Sequence, residues 1–154
     1  MKRAFIAAFA LFASTINPAQ ATPQLRNLLT AVQSTGTTLA VDDPQQCRDP
    51  KLMGRYSYQR NVVDQLLICV ANHKGDNAEL YDTILHESVH VAQACKGGPL
   101  FNPESIYRFA LATEVDLVKK SYSNSHSLIE LEARVIAREQ DEVFVTNLIK
   151  EHCK

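Results

Sequence analysis

Asp76-Asn77-Ala78-Glu79-Leu80-Tyr81-Asp82-Thr83-Ile84-Leu85-His86-Glu87-Ser88-Val89-His90-Val91-Ala92-Gln93-Ala94-Cys95, followed by Lys96-Gly97-Gly98-Pro99, is the stretch on which the fold turns. Asp76-x-x-Glu79 has the form of a capping box and predicts a helix start, and Gly97-Gly98-Pro99 predicts a firm stop after about Cys95. Ile84, Leu85, Val89 and Val91 predict that this helix is packed into the core. At its middle stands H-E-x-x-H. Residues four apart share a helix face, so the imidazoles of His86 and His90 can point at one ion. Glu87 can then reach a water on an open metal position and accept its proton. The plainer reading is two surface histidines on an ordinary amphipathic helix, and the apolar flanks, which pack the helix into the core, weigh against it.

Outward from this helix, Leu25, Leu28, Leu29 and Val32 predict a short amphipathic helix near the start. Ser34 to Asp49 is polar, with Gly36 and Pro44, and reads as loop. Leu52–Tyr58 and Leu66–Val70 are β-type runs on either side of a polar segment, which suggests a hairpin. Asn102-Pro103-Glu104 begins a helix expected to reach about Tyr122. A last long helix is expected from Leu128 to about Lys150, with Leu128, Leu131, Val135 and Ile136 at helical spacing. The order predicts an α+β fold: a small antiparallel sheet packed on a bundle of about four helices.

The 154 residues suit one domain with a real core. A net charge of -1, with 21% charged residues, gives no reason to expect nucleic acid or an anionic membrane as partner. Met1-Lys2-Arg3, the apolar run Ala4–Ile16 and Ala19-Gln20-Ala21 have the three parts of a Sec-type signal peptide. Residues 1–21 are therefore expected to be removed, leaving 22–154 as a single domain beginning at Thr22. No second apolar run approaches membrane-spanning length. The destination is the periplasm or the exterior. Four cysteines in such a compartment favour two disulfides, with three possible connectivities. Cys47–Cys69 with Cys95–Cys153 is the working expectation, since each pair would tie neighbouring elements together. A cysteine-ligated zinc site is the weaker alternative, because no C-x-x-C occurs.

Catalytic zinc takes three protein ligands, and the third must lie outside H-E-x-x-H. Glu130-Leu131-Glu132-Ala133-Arg134-Val135-Ile136-Ala137, with the metal motif upstream, resembles the gluzincin metallopeptidases, where a glutamate in an E-x-x-A context on a later helix completes the site. The resemblance covers the two motifs and their order. It implies a zincin-like catalytic core in which His86, His90 and Glu130 hold Zn2+ and Glu87 is the general base for hydrolysis of a peptide or protein substrate. It also implies an oxyanion-stabilising side chain, for which Tyr107 and Tyr122 are candidates, and a sheet edge at Leu66–Val70 that pairs with extended substrate. Arg134 departs from the pattern, since some of these families have Asp or Asn after the Ala.

The residues leave alternatives open. Ser127-x-x-Glu130 is itself a capping box, so Glu130 has a purely structural reading, with Glu132 and then His126 as the other candidate ligands. His73 and His152 are expected at the surface, and Gln93 is expected to bond a ligand or the backbone. A non-catalytic, disulfide-stabilised zinc-binding module for partner recognition is the competing function. Substrate preference and oligomeric state are not encoded in any motif.

Overall fold

The Thr22 hydroxyl accepts the Leu25 N–H at 3.1 Å and caps a helix whose first residue is proline. The computed structural model describes residues 22–154, and the expected signal peptide over 1–21 lies outside them. The first helix, α1, spans Pro23–Ser34 and buries Leu25, Leu28, Leu29 and Val32, the face expected from their spacing. Three strands follow: β1 Thr38–Val41, β2 Gly54–Gln59 and β3 Val63–Ile68. Short 3-10 turns at Gln46–Arg48 and Val70–His73 flank β2 and β3. Five more helices complete the chain: α2 Asn77–Lys96, α3 Pro103–Phe109, α4 Ala112–Ser121, α5 Asn124–Glu139 and α6 Glu142–His152.

The fold is α+β, but the sheet is mixed rather than antiparallel and the described helices number six rather than about four. The strand order is β1-β3-β2. The expected hairpin is present, with β2 antiparallel to β3 and Tyr56 opposite Leu66. β1, inside a segment expected to be loop, pairs parallel with β3 on its other side, Leu39 opposite Leu66. The reason is hydrogen-bond satisfaction: Leu66, Leu67 and Ile68 are almost wholly buried, and an unpaired backbone edge there would be costly. The expected edge strand at Leu66–Val70 is thus the central strand, and β2 is the edge nearest α2.

The helix expected over 103–122 is broken at Ala110 and Leu111, both extended. Arg138 of α5 stabilises the break. Its Nη2 donates to the Phe109 carbonyl at 2.7 Å and its Nε to Glu114 at 3.0 Å, while Glu114 accepts the Leu111 N–H. The helix expected over 128–150 is likewise two helices. Gln140 and Asp141 are extended, and Asp141 caps α6 by accepting the Phe144 N–H at 2.9 Å.

The main core joins α1, β3, α2, α5 and α6, with Leu28, Leu66, Leu85, Val89, Ala133 and Ile149 essentially without solvent contact. A smaller cluster of Ile106, Val118, Leu131 and Val135 sits under α3 and α4. Both expected disulfides are formed. Cys47–Cys69 fastens the first 3-10 turn to the end of β3, and Cys95–Cys153 fastens the end of α2 to the end of α6. Such bonds belong to an oxidising compartment. Among the described residues, no helix is long and apolar enough to cross a membrane.

Candidate metal centre

α2 is built as its sequence predicts. Asp76 accepts the Glu79 N–H at 2.9 Å at the start, and Gly97, at φ +81°, ends it with its N–H on the Gln93 carbonyl at 2.8 Å. Ile84, Leu85, Val89 and Val91 are buried, which fixes the rotation of the helix and turns His86 and His90 to one side, facing α5. From α5, Glu130 meets both rings. His86 Nε2 lies 3.3 Å from Glu130 Oε1, His90 Nε2 lies 3.4 Å from Oε2, and the two Nε2 atoms are 3.2 Å apart. The ligand atoms all lie within 4.8 Å of one another, so the group could hold a metal ion. Two ring nitrogens facing each other across this distance, with a carboxylate closing the third side, make a nitrogen–nitrogen–oxygen set that suits a divalent cation such as zinc.

The electrostatics agree with that use. Burial acts to raise the Glu130 carboxyl, yet hydrogen bonds and charge from His86 and His90 outweigh it and hold the group far below the usual carboxylate range. Arg134, one turn on, adds a contact at 3.0 Å to Glu130 Oε1. Glu87 behaves in the opposite sense. Burial pushes its carboxyl up, against the lowering influence of His86 and His90. Its Oε2 accepts the Tyr56 N–H of β2 at 2.7 Å, which fixes the carboxylate beside the histidines.

That bond exists because of Gly54. A Cβ there would meet Thr83 Cγ2 at 2.6 Å and Glu87 Cγ at 3.1 Å, so only glycine lets β2 cross α2 this closely. Gly54 is a site-building residue that the sequence reading passed over, although a lone glycine at a strand start is a known sign of close backbone approach. The groups open into a cleft of about 630 Å³ whose walls include Met53, Gly54, Tyr56, Tyr122 and Arg134.

The alternative ligands are placed elsewhere. Glu132, completely buried, accepts the Leu100 N–H at 2.8 Å and the Phe101 N–H at 2.7 Å. His126 is exposed, with Nδ1 3.0 Å from the Ser123 hydroxyl. Tyr122 lines the cleft, and burial together with the charge of Glu130 raises its phenol. Tyr107 is half exposed on α3 and is not among the residues lining the cleft. His73 is buried rather than at the surface, because the 3-10 turn carrying it folds under α2, where Nδ1 lies 3.3 Å from Glu79. Gln93 bonds a candidate ligand and the backbone together: its Oε1 is 2.7 Å from His90 Nδ1, and its Nε2 donates to the Ile129 carbonyl at 2.9 Å.

Over residues 20–154 the chain belongs to a family described as a domain of unknown function (DUF8637). No curated protein and no solved structure matches it significantly.

Proposed function

We propose that this protein is an exported, zinc-dependent metallopeptidase with a minimal gluzincin-like, zincin-type core, acting in the periplasm or outside the cell. The observation that carries the reading is the convergence of His86 Nε2, His90 Nε2 and the Glu130 carboxylate beside the buried Glu87. His86, His90 and Glu130 would hold the cation. When bound, zinc supplies Lewis-acid charge and a water of lowered pKa. Glu87 takes up the water's proton and passes it to the leaving amine, a task favoured by burial, which raises its carboxyl above the usual range. With Oε2 held by Tyr56, Oε1 is the oxygen that carries the proton. Tyr122, at the cleft wall, donates to the developing oxyanion. An extended peptide lies along the outer edge of β2, bound through main-chain hydrogen bonds.

One observation favours the second reading, a zinc-binding recognition module. The Tyr56 N–H bond gives Glu87 a structural task, fastening β2 to α2, that it performs without any turnover. The deciding experiment is elemental analysis of purified protein with an assay on mixed peptides. The proposed enzyme carries one zinc per chain, loses it in Glu130→Ala, still takes up one zinc at saturating metal in Glu132→Gln, and cleaves peptides. Zinc without cleavage supports the recognition module. Absence of zinc, with no uptake on addition, defeats both readings.

A further inference from the structure

A buried chain of hydrogen bonds runs from the 100–101 loop through α5 to His90, and its polarity can go only one way. Glu132 receives the Phe101 N–H on Oε1 and the Leu100 N–H on Oε2, and backbone donors cannot reverse. The Gln93 side chain, 3% exposed, has one end 2.9 Å from the Ile129 carbonyl and 2.7 Å from Glu132 Oε2. A carbonyl oxygen only accepts, so that end must be the amide NH2. The amide oxygen is then the atom 2.7 Å from His90 Nδ1, and Nδ1 must carry the hydrogen. In the neutral ring what then remains is the Nε2 lone pair, and it points at His86 Nε2 and Glu130.

We propose that Gln93 and Glu132 are positioning residues that fix His90 as its Nδ1–H tautomer and so preset Nε2 as a metal donor before any ion arrives. The consequence for affinity rests on the metal reading above, but the tautomer does not. Metal-binding histidines gain by having the second nitrogen held, and loss of such a partner costs about 10–100-fold in metal affinity. In this chain the holder is an amide three residues along the same helix, itself fixed by a carboxylate on α5. The arrangement also ties the 100–101 loop, through Glu132, to the orientation of a ligand.

The test is carried out on the protein expressed from its full chain and isolated after any processing, as wild type, Gln93→Met and Glu132→Gln. Methionine fills the space without hydrogen-bonding the ring. In Glu132→Gln the charged acceptor on the Gln93 amide is lost while the Ile129 carbonyl remains, so the hold on Gln93 loosens without being lost. Long-range proton–nitrogen correlation spectra of the metal-free folded proteins, recorded at alkaline pH where imidazole is neutral, read the tautomer of His90 directly. Chelator competition reads zinc affinity. The expected result is an Nδ1–H ring in wild type, a mixed or Nε2–H ring in Gln93→Met, and zinc affinity lower by about 10–100-fold in that variant. Glu132→Gln shifts both readouts the same way by a smaller amount. Residues that only stabilise the fold would lower the melting temperature and leave both readouts in place. An Nε2–H ring in wild type overturns the inference, as does zinc affinity in Gln93→Met within about twofold of wild type. A wild type that binds no zinc but shows the Nδ1–H ring upholds the relay and removes the metal reading, so the two fail separately.

Discussion

At Glu87 and Gly54 the site depends on single side chains, and both give sharp expectations. Glu87→Gln keeps the shape and the Tyr56 N–H partner but cannot take up a proton. It should retain zinc and fold normally while turnover falls by about 10²–10⁴-fold, the usual contribution of a positioned general base. Peptide hydrolysis by Glu87→Gln at the wild-type rate would remove Glu87 from the mechanism. Gly54→Ala acts from outside the motif. Its new methyl must displace Thr83 or the stem of Glu87, so β2 moves off α2 and the 2.7 Å bond lengthens. Chemical denaturation should show a loss of about 1–3 kcal/mol. Turnover should fall more steeply than zinc content, because the strand holds the base and not the ligands. Wild-type stability in Gly54→Ala would mean that the strand tolerates the shift freely.

Helices and strands differ in how clearly their residues announced them. α2 was legible from end to end, because its cap, apolar face, metal motif and glycine stop are local signals within one element. α1 was legible for the same reason. β1 was not: four residues between Gly36 and Asp42 become a strand only because β3 needs a second neighbour, and that need lies beyond any local window. The break at Ala110–Leu111 was hidden similarly, since Arg138, far along the chain, stabilises it. The break at Gln140–Asp141 did have a local sign, because aspartate is a strong N-cap, but the apolar spacing ran on past it. The E-x-x-A context favours Glu130, but Glu132, two positions on along the same helix, stays open in the sequence. Only the packing of α5 decides which faces the histidines and which faces the 100–101 loop. That packing depends on small residues, Ala133 and Ala137, both buried in the core. Ala133→Leu should push α5 from α2, destabilise the fold by about 1–3 kcal/mol and weaken zinc binding together with it. Thermal melts with and without a chelator check this, and unchanged zinc binding in a clearly destabilised Ala133→Leu would show that Glu130 follows the histidines whatever the spacing.

For the molecule as a whole, α2 is the common member. The sheet crosses one side of it, α5 and α6 pack along others, and its C-terminal end is bonded to Cys153. The disulfide Cys95–Cys153 spans 58 residues of chain, and its loss should cost about 2–5 kcal/mol. Replacing both cysteines with serine should therefore lower the melting temperature substantially. The proposed zinc site should be retained at low temperature, because His86, His90 and Glu130 lie on elements also held by the core. A double serine variant with unchanged melting would place the stability of this end in packing alone.

The mixed sheet carries a consequence in time. β2 and β3 are joined by a turn of three residues, so they can find each other quickly by local search. β1 has a harder task, since a parallel partner is reached only after the chain has passed through the 3-10 turn and β2 and come back. The hairpin is thus the natural nucleus, and β1 docks onto a β3 already in place. Cys47 lies between β1 and β2, so capture of β1 by β3 should bring it to Cys69. Oxidation before that moment draws on three pairings with little to choose among them, whereas oxidation after it finds one. Slow refolding from the reduced chain, accelerated by a disulfide isomerase, is the kinetic signature that this topology writes into the protein.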